Sequence, residues 1–404
     1  MAAAVRGCAP SRLLGAWARR PGGQQTRGLN KACGLVGYPN VGKSTLFNAF
    51  VGSNMASAEN FPFCTIEPNV VKVGVPDSRL DALATTCGSA KVVPGTVEIR
   101  DIAGLIKGAS SGAGMGNAFL SQIRGVQVVL HVVRCFSNAD IVHVEDPVNI
   151  DPVREYESIL EELTIADLEF ASRRLPPLSK KATVQTEIAK MMPTYEAVLA
   201  ALEGGRPART ALAALEAAPG DEFLSQLITA KPVVVLANVM PEDAATGNAY
   251  TERLAAHVAA EMGGAGRVVI VSAPLEAEVV QLDDEEFRTE YLESYGLQGG
   301  ERALPRVLAA SQGLLRLVSF LTVGEVEARA WFVPQGSRCH EAAGAIHSDF
   351  VKNFEQAEIW NYEDILRLGS KNACKGAGLV KSKGKDYEVQ DGDVMEFRVR
   401  GARS

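Results

Sequence analysis

The sequence has no apolar run approaching the roughly 18 residues that a membrane-spanning helix needs, so no such helix is predicted. Its seven cysteines are widely spread and never form a C-x-x-C pair, which argues against a zinc site and against a dithiol redox motif. Their odd number and wide spacing favour free thiols in a reducing compartment. The net charge of -7 argues against a surface coated in positive charge for nucleic acid, although a local basic patch is compatible with an acidic total.

Acidic side chains are absent from the first thirty residues, and the first acid of the chain is Glu59. The same segment carries five arginines: Arg6, Arg12, Arg19, Arg20 and Arg27. Leu13 and Trp17 share one helical face of it, which makes it weakly amphipathic. An Arg-rich, acid-free leader is typical of an organelle transit peptide, so residues 1–30 are predicted to direct the protein to the mitochondrial matrix. The alternatives are a plastid as the organelle and a disordered extension on a cytoplasmic protein.

Short apolar segments alternate with helical patterns in the first part and the middle of the chain. They are nearly continuous in apolar residues and rich in valine, as expected for strands buried on both faces of a parallel sheet. They lie at 32–36, 97–100, 126–133, 232–237 and 267–271. This order of elements predicts an α/β nucleotide-binding domain built from residues 31–150 and 228–318.

A gap of about a hundred residues separates the segment ending at Val133 from the one starting at Pro232. This gap is far longer than a crossover between parallel strands needs. Two stripes of apolar residues with helical spacing lie inside it, one before and one after a break predicted at Pro176 and Pro177. Residues 151–227 are therefore predicted to form an inserted arm of two antiparallel helices.

The last part of the chain has a different pattern. It contains a strand-like EVEARAWFV, a helix predicted at about 341–354, and a closing hairpin predicted to turn at Asp391 and Gly392. Residues 319–400 are therefore predicted to form a small α+β domain.

A basic run without acids lies between Ile365 and Lys385 in this last part. A solvated face and a nucleic-acid contact are both compatible with it, because phosphate binding needs local positive charge and little sequence precision. Its six members are Arg367, Lys371, Lys375, Lys381, Lys383 and Lys385.

The segment Gly37-Tyr-Pro-Asn-Val-Gly-Lys-Ser44 matches the phosphate-loop pattern, and it stands between a predicted strand and a predicted helix. Its glycines allow backbone N–H groups to approach phosphates. Lys43 supplies a positive charge for the β and γ oxygens, and the Ser44 hydroxyl is a ligand for Mg²⁺. The pattern in this context predicts binding of a nucleoside triphosphate.

The segment Asp101-Ile-Ala-Gly104 supplies the second feature of such a site. It follows a predicted strand, its carboxylate is expected to reach Mg²⁺ through water, and the Gly104 N–H is expected to sense the γ-phosphate. Thr65, which lies between the two motifs, is predicted as the second hydroxyl on Mg²⁺ only as part of this set. Leu105 occupies the position at which Ras-like GTPases carry the glutamine that orients the attacking water, a task that leucine cannot perform.

Several longer segments are as distinctive as the phosphate loop: GYPNVGKSTLFNAF, NFPFCTIEPN, DIAGLIKGASSGAGMGNAFLSQIR, VVRCF, SAPLEAEV, TVGEVEARAWFVPQG, AAGAIHSDF and GKDYEVQDGDVMEF. Together they resemble the YchF or Obg-like ATPase family over about residues 31–399. The resemblance implies a P-loop NTPase (G-domain-like) α/β fold with a parallel sheet, an inserted helical coiled-coil arm and a C-terminal α+β β-grasp domain of the TGS type. These parts agree with the three predicted above.

The resemblance also implies which residues bind the nucleotide and its metal. Ser44 and Thr65 match the Mg²⁺ hydroxyls of the family. Asn40 matches an asparagine that contacts K⁺ in related potassium-dependent NTPases, which makes stimulation by K⁺ a prediction. The implied nucleotide-binding set is Asn40, Val41, Gly42, Lys43, Ser44, Thr45, Asp101, Gly104, Asn238, Val239, Ser272 and Ala273.

Lys43, Leu105 and His143 form the catalytic set implied by the resemblance. Leu105 matches the family's hydrophobic residue in place of glutamine, and His143 matches the histidine proposed to replace it in catalysis. An imidazole that titrates near neutral pH is able to hold or polarise water. A loop histidine that only packs or hydrogen-bonds is the alternative. His131, inside the apolar VVLHVV, is instead predicted to be a satisfied core residue.

The stretch LANVMPED, which ends at Asp243, bears on the choice of base. In an N-K-x-D GTPase the Asp accepts two hydrogen bonds from guanine, and adenine offers no such donor pair. Here Asn238 keeps the first position, but Val239 replaces the Lys and Pro241 stands at the register of the Asp. Obg-like ATPases typically have N-x-x-E, so Glu242 comes one residue late. ATP is favoured, and partial compensation by Glu242 or Asp243 stays open.

The predicted activity is Mg²⁺-dependent hydrolysis of ATP to ADP and phosphate, in a ribosome-associated protein switched by nucleotide. The arm and the TGS domain with its basic run predict an RNA-rich partner, namely the large ribosomal subunit. Neither a membrane nor DNA is expected as a partner. Two alternatives stay open: a GTPase of the Obg or DRG type, and a nucleotide-gated ribosome-binding module with negligible turnover.

Overall fold

The computed structural model describes residues 32–56, 69–102, 115–137, 150–215, 221–262 and 268–400. Apart from the gaps between these ranges, the first of two compact units comprises residues 32–47, 100–276 and 289–301. The second unit comprises residues 48–99, 277–288 and 302–400. None of the helices in these ranges is both long enough and apolar enough to cross a membrane.

The strands in the described ranges are named in chain order. They are β1 (Ala32–Val36), β2 (Val70–Gly74), β3 (Val92–Val93), β4 (Thr96–Asp101), β5 (Val128–Arg134), β6 (Val233–Asn238), β7 (Val268–Val271), β8 (Leu317–Val323), β9 (Ala328–Pro334), β10 (Phe354–Asn361), β11 (Lys381–Lys383) and β12 (Asp393–Val399).

The α-helices are named in the same way. They are α1 (Lys43–Ala56), α2 (Ser78–Cys87), α3 (Met115–Arg124), α4 (Pro152–Ala182), α5 (Thr186–Glu203), α6 (Ala208–Ala214), α7 (Glu222–Gln226), α8 (Ala249–Glu261), α9 (Ala273–Val279), α10 (Glu285–Ser294), α11 (Ala303–Leu315), α12 (Cys339–Ile346), α13 (Ser348–Asn353), α14 (Tyr362–Leu368) and α15 (Lys371–Gly376).

In the first unit, β1, β5, β6 and β7 lie side by side in that order and run parallel. The register pairs Leu35 with Leu130 and Asn238 with Val271. Every residue of β1 and β5 is buried, which explains their continuous apolar sequence. The predicted parallel α/β sheet is confirmed. Because the strands are parallel, their carboxyl ends lie at one edge, where ligands bind in folds of this class.

The first helix of the inserted arm, α4, starts at a strong cap. The Asp151 carboxylate accepts hydrogen bonds from the N–H groups of Val153 and Arg154. The helix then continues to Ala182 through Pro176 and Pro177, so the break predicted there is wrong. Leu175 and Leu178, on either side of the prolines, both pack into the cluster that α4 forms with α5. That packing offsets the hydrogen bonds that the prolines cannot donate.

A buried polar network joins the end of α3 to the base of the arm. The Arg124 guanidinium donates to Asp167 Oδ1 at 3.0 Å and to the carbonyl of Ala166. The fully buried Asp167 carboxylate also accepts from the Ile228 N–H at 3.0 Å and from the Thr229 N–H at 2.7 Å. One carboxylate therefore holds α3, α4 and the chain that returns from the arm to β6.

The second unit is built on a sheet of order β11-β10-β12-β8-β9-β3. Its central strands β12 and β8 are parallel, whereas the pairs β10–β12 and β8–β9 are antiparallel. The predicted closing hairpin is wrong, because β12 pairs with β10 and β8 rather than with the residues before Asp391. The helix predicted at 341–354 is two helices, α12 and α13, and Phe354 already begins β10.

The edge strand β3 and helix α2 come from the early part of the chain but belong to this second unit. β3 pairs with β9 in parallel, with Val92 opposite Ala328. Leu80, Leu83 and Ala84 of α2 share one core cluster with residues of β8, β9, β10 and β12. Arg79 at the start of α2 donates to Asp391 at 2.7 Å. This grouping differs from the predicted domain boundaries, because packing rather than chain order decides it.

Candidate nucleotide-binding site

The loop between β1 and α1 has the close approaches that a phosphate-binding loop requires. A Cβ atom at Gly37 would lie 2.4 Å from the carbonyl oxygen of Val132. Gly42 has a φ of +98°, and a Cβ there would lie 2.4 Å from Asn238 Nδ2. Asn40, between them, adopts a left-handed φ of 64°, which asparagine tolerates better than most residues. The glycines are therefore needed by the backbone itself, and the loop leads directly into the N-terminus of α1.

Lys43 is the first residue of α1, and its side chain is only 6% exposed. Its ammonium donates to the carbonyl of Tyr38 within the same loop, at 2.5 Å. Burial lowers the pKa of Lys43 to about 8, and the nearby carboxylates Asp101 and Glu155 partly oppose this shift. The loop thus holds a buried cation that lacks full compensation, and a phosphate group would supply the missing negative charge.

Ser44 and Asp101 meet at the expected metal position. The Ser44 hydroxyl donates to Asp101 Oδ2 at 3.1 Å, although the two residues come from α1 and from the end of β4. Hydroxyl and carboxylate oxygens are hard donors of the kind that Mg²⁺ prefers, and Mg²⁺ is commonly bound by few protein groups together with substrate phosphates. The donor set therefore fits Mg²⁺, which Ser44 and Asp101 would hold together. Thr45, next in α1, is exposed.

Asn238, the last residue of β6, ties the phosphate loop to the neighbouring strand. Its buried amide donates from Nδ2 to the carbonyl of Val41 at 2.8 Å. Its Oδ1 accepts from the N–H of Ala273, the first residue of α9, at 2.9 Å. The buried Ser272 stands just before that helix, and its hydroxyl meets no hydrogen-bonding group of the described residues. Asn238 therefore organises two loops at the carboxyl edge of the sheet.

Val239 differs from the expectation for a nucleotide-contacting side chain. It is fully buried in a cluster with Val133, Val235 and Leu254, and its N–H donates to the carbonyl of Val271. A contact between Val239 and a nucleotide would have to come from its main chain. The next turn is a 3-10 turn, Pro241–Asp243, in which Pro241 is buried.

Four predicted site residues lie outside the described residues: Thr65, Gly104, Leu105 and His143. The described ones converge at one end of β1, β4 and β6. Sequence reasoning missed Tyr38, whose carbonyl holds Lys43, and Asn248, which caps α8. An Asn directly before an amphipathic helix is a signal for such a cap, but its partners elsewhere in the chain are not visible in the sequence.

His131 lies in the middle of β5 and takes no part in this site. It is buried, and its ring stacks on Tyr156 with centroids 5.1 Å apart. Burial lowers the pKa of His131 to about 3, so the imidazole is neutral. The core position is as predicted, but the expected hydrogen bonding is wrong for Nε2, which meets no partner among the described residues.

The lowered pKa of Lys43 predicts that nucleotide affinity depends on pH. Bound phosphate favours the ammonium form, so affinity is fully present below about pH 8, where free Lys43 is charged. Above that value the free protein must take up a proton to bind, and the Kd is expected to rise up to about tenfold per pH unit. Isothermal titration with Mg²⁺ and a non-hydrolysable ATP analogue between pH 6.5 and 9.5 measures this. In the K43R variant, which stays charged, a similar rise would contradict the assignment to Lys43.

Comparisons with known proteins cover nearly the whole chain. A family model described as a 50S ribosome-binding GTPase matches residues 32–168. The family model YchF-GTPase_C, described as a protein of unknown function, matches residues 317–400.

Individual relatives align over more than nine-tenths of this chain. The ribosome-binding ATPase YchF of Haemophilus influenzae is 44% identical over 370 residues, which cover 91% of this chain and 98% of the relative. The Obg-like ATPase 1 of Pongo abelii is 39% identical over 381 residues, covering 92% and 93%. The solved structure of the Schizosaccharomyces pombe YchF GTPase has a TM-score of 0.79 and 33% identity, and covers 92% of this chain and 99% of that one.

Proposed function

Because the chain belongs to the YchF/Obg-like ATPase family, we propose that it hydrolyses ATP to ADP and phosphate with Mg²⁺ and prefers ATP over GTP. The names of its relatives, ribosome-binding ATPase and Obg-like ATPase, support a ribosome-associated nucleotide hydrolase. The observation that carries the proposal is the convergence of Lys43, Ser44 and Asp101 beside the Asn238 loop.

The preference for ATP rests on the turn after β6. A carboxylate that accepts from guanine N1 and N2 makes a site strongly selective for guanine. At that register this chain has Pro241, which is buried and has no polar side-chain atom. Asp243, two residues on, already accepts a hydrogen bond from Asn248 at 2.7 Å. Among the residues of this described turn, no carboxylate is fixed at the guanine-reading register, and Glu242, one residue late, is exposed.

Each group has a role in the proposed reaction, an in-line attack of water on the γ-phosphate. Lys43 and the loop N–H groups stabilise charge on the transferred phosphoryl group. Ser44 and Thr65 would hold Mg²⁺, which when bound would offset negative charge on the phosphates. His143 orients the water in place of the glutamine that Leu105 replaces, and Asn40 contacts K⁺. Loss of that glutamine makes the intrinsic turnover slow.

The test is a titration of ATP and GTP on the same preparation, with Mg²⁺ and with either K⁺ or Na⁺ as the monovalent ion. We expect ATP to bind at least about tenfold more tightly than GTP, a difference of ~1.4 kcal/mol. We also expect faster hydrolysis with K⁺. Equal affinities, or tighter GTP, would instead favour a GTPase of the Obg or DRG type.

Replacing His143 by Ala is expected to lower kcat by roughly a hundredfold while leaving the Kd for ATP near that of the wild type. The reason is that an imidazole which orients water contributes to the transition state and not to ground-state binding. Single-turnover hydrolysis together with nucleotide titration measures both quantities. The matched control is H340A, a half-buried histidine of the second unit. An unchanged rate in H143A would remove the residue from the catalytic set.

A nucleotide-gated ribosome-binding module is the second candidate function. Leu105, which stands where the water-orienting glutamine would be, favours it because it predicts slow turnover. Half of the basic run forms ion pairs with acids, which reduces the positive charge available for RNA. Arg367 pairs with Asp364, Lys371 with Glu396 and Lys375 with Glu358. Lys381, Lys383 and Lys385 form no ion pair with the described residues, and they lie on or beside the sheet-edge strand β11. We propose these three lysines, together with the arm, as the contact with the large ribosomal subunit.

Co-sedimentation with ribosomal subunits tests this contact in both nucleotide states. Changing Lys381, Lys383 and Lys385 together to Ala should weaken binding and reduce its salt dependence, because fewer phosphates are neutralised. K371A/K375A is the control, since those two lysines are occupied by glutamates. Equal binding with ADP and with an ATP analogue would rule out the nucleotide switch.

The location proposed for the protein is the mitochondrial matrix, on the basis of the Arg-rich, acid-free leader at residues 1–30. Import into isolated mitochondria with cleavage of the leader is the expected result. Retention of the full-length chain outside the organelle would favour the cytoplasmic alternative.

A further inference from the structure

Asn248 forms hydrogen bonds that exceed the needs of a helix cap. Its Oδ1 accepts from the N–H groups of Tyr250 and Thr251, at 3.0 and 3.1 Å, which caps α8. Its Nδ2 donates in the other direction, to the carbonyl of Cys135 at 2.9 Å and to Asp243 Oδ2 at 2.7 Å. One side chain thus joins the start of α8, the end of β5 and the turn after β6.

The amide nitrogen is not explained by capping. Ser, Thr and Asp cap helices about as well as Asn, because capping uses only a side-chain oxygen. Among these residues, only Asn also offers an N–H pair that points away from the helix. The choice of Asn is therefore accounted for by its two acceptors, Cys135 and Asp243.

The turn held by Asn248 contains two acids in different situations. The Asp243 carboxylate is fixed by Asn248, and the Asp243 main chain is fixed by hydrogen bonds with Met240 and Gly247. Glu242 is exposed and forms no hydrogen bond or ion pair with the described residues. Glu242, which directly follows Pro241 at the register of the guanine-binding Asp, is thus free, whereas Asp243 is held.

The Cys135 end of the Asn248 bridge leads to the phosphate loop. The Cys135 N–H donates to the carbonyl of Asn238 at 2.8 Å. Asn238 in turn bonds Val41 of the phosphate loop and Ala273 of α9. Asp243 is therefore tied to the same framework that positions the phosphate loop.

We propose that Asn248 is a positioning residue for base selection, which excludes guanine by holding Asp243 against the end of β5. This inference rests on the proposed preference for ATP. Guanine presents the N1–H and N2–H₂ donors to a carboxylate, whereas adenine presents only the N6 amino group. Releasing Asp243 therefore improves the binding of GTP more than that of ATP.

The decisive variant is N248S. A serine keeps an oxygen for the cap of α8 but has no N–H for Asp243 or Cys135. We expect the Kd for ATP divided by the Kd for GTP to rise by about tenfold, because GTP binds more tightly relative to ATP. N248D is a second variant that keeps the cap and repels Asp243, and the same direction of shift is expected. The probes are Mg²⁺ with non-hydrolysable analogues of ATP and GTP, bound to the full chain.

Two further proteins separate base selection from a structural effect. In N248S/D243A the ratio should return to that of the wild type, whereas D243A alone should not change it. N361S is the matched control, because Asn361 caps α14 in the second unit by accepting from the Glu363 N–H at 2.8 Å. It tests what an Asn-to-Ser change does at a cap far from the loop in sequence.

The outcomes distinguish this inference from the proposed function. An unchanged ratio in N248S and N248D, or a shift that persists in N248S/D243A, overturns the role of Asn248. Equal weakening of both nucleotides indicates a structural role only and also overturns it. A wild type that binds GTP as tightly as ATP contradicts the proposed preference, whereas a shift reversed by D243A still supports the action of Asn248 on Asp243.

Discussion

Replacing Asp167 by Ala is expected to lower the free energy of unfolding by about 3–5 kcal/mol. The Asp167 carboxylate is fully buried and accepts from Arg124, Ile228 and Thr229. Its removal leaves the Arg124 guanidinium, which is 17% exposed, without its ion-pair partner, and it leaves two buried N–H groups unsatisfied. Urea unfolding followed by circular dichroism measures the change.

The control for Asp167 comes from the same arm. Glu187 pairs with Lys190 on the surface of α5, and both side chains are mostly exposed. E187A removes a carboxylate from an ion pair as D167A does, yet it is expected to lower the free energy of unfolding by at most about 1 kcal/mol. D167N keeps the shape of the side chain and one acceptor oxygen, so its loss of unfolding free energy should lie between those of D167A and E187A. Equal losses in D167A and E187A would show that the network does not stabilise the junction of arm and sheet.

Replacing Lys43 by Ala is expected to lower kcat/KM for ATP by roughly a hundredfold or more. Lys43 is the buried cation of the phosphate loop, and its ammonium is held by the carbonyl of Tyr38 within that loop. The melting temperature should not fall, because burial that lowers the pKa of Lys43 to about 8 also disfavours its charged form in the folded state.

The control for Lys43 is K72A, which removes the same charge from an exposed position on β2. Hydrolysis by K72A should equal that of the wild type. K43R keeps the positive charge but changes its geometry, so its kcat shows whether catalysis needs the compact ammonium as well as the charge. Full activity in K43A would mean that the loop N–H groups and Mg²⁺ are sufficient without the lysine.

The parts of the site that the sequence predicted share one property. Lys43, Ser44 and Asp101 belong to short patterns in which chemistry fixes residue type and spacing, and each pattern adjoins a strand. Asn238 likewise closes an apolar run. Because parallel strands present their carboxyl ends at one edge, the sequence alone predicts that these separate patterns lie close together.

The features that sequence reasoning missed depend on partners far along the chain. The prolines of α4 are tolerated because Leu175 and Leu178 pack on α5. Helix propensity depends on local sequence only, so it cannot predict that contact. Lysines of the basic run are neutralised by Glu358 and Glu396, which lie outside the run. The sequence predicts Asn248 only as a helix cap, whereas the structure shows that it also donates to Cys135 and Asp243.

The place of α2 in the second unit has a consequence for the order in which the protein is made. The apolar face formed by Leu80, Leu83 and Ala84 packs against residues of β8, β9 and β10, which leave the ribosome more than two hundred residues later. At roughly 5–20 residues per second this delay amounts to about 10–50 s. During that time α2 lacks most of its native packing, so the nascent chain is expected to expose an apolar face until its last sheet has been synthesised.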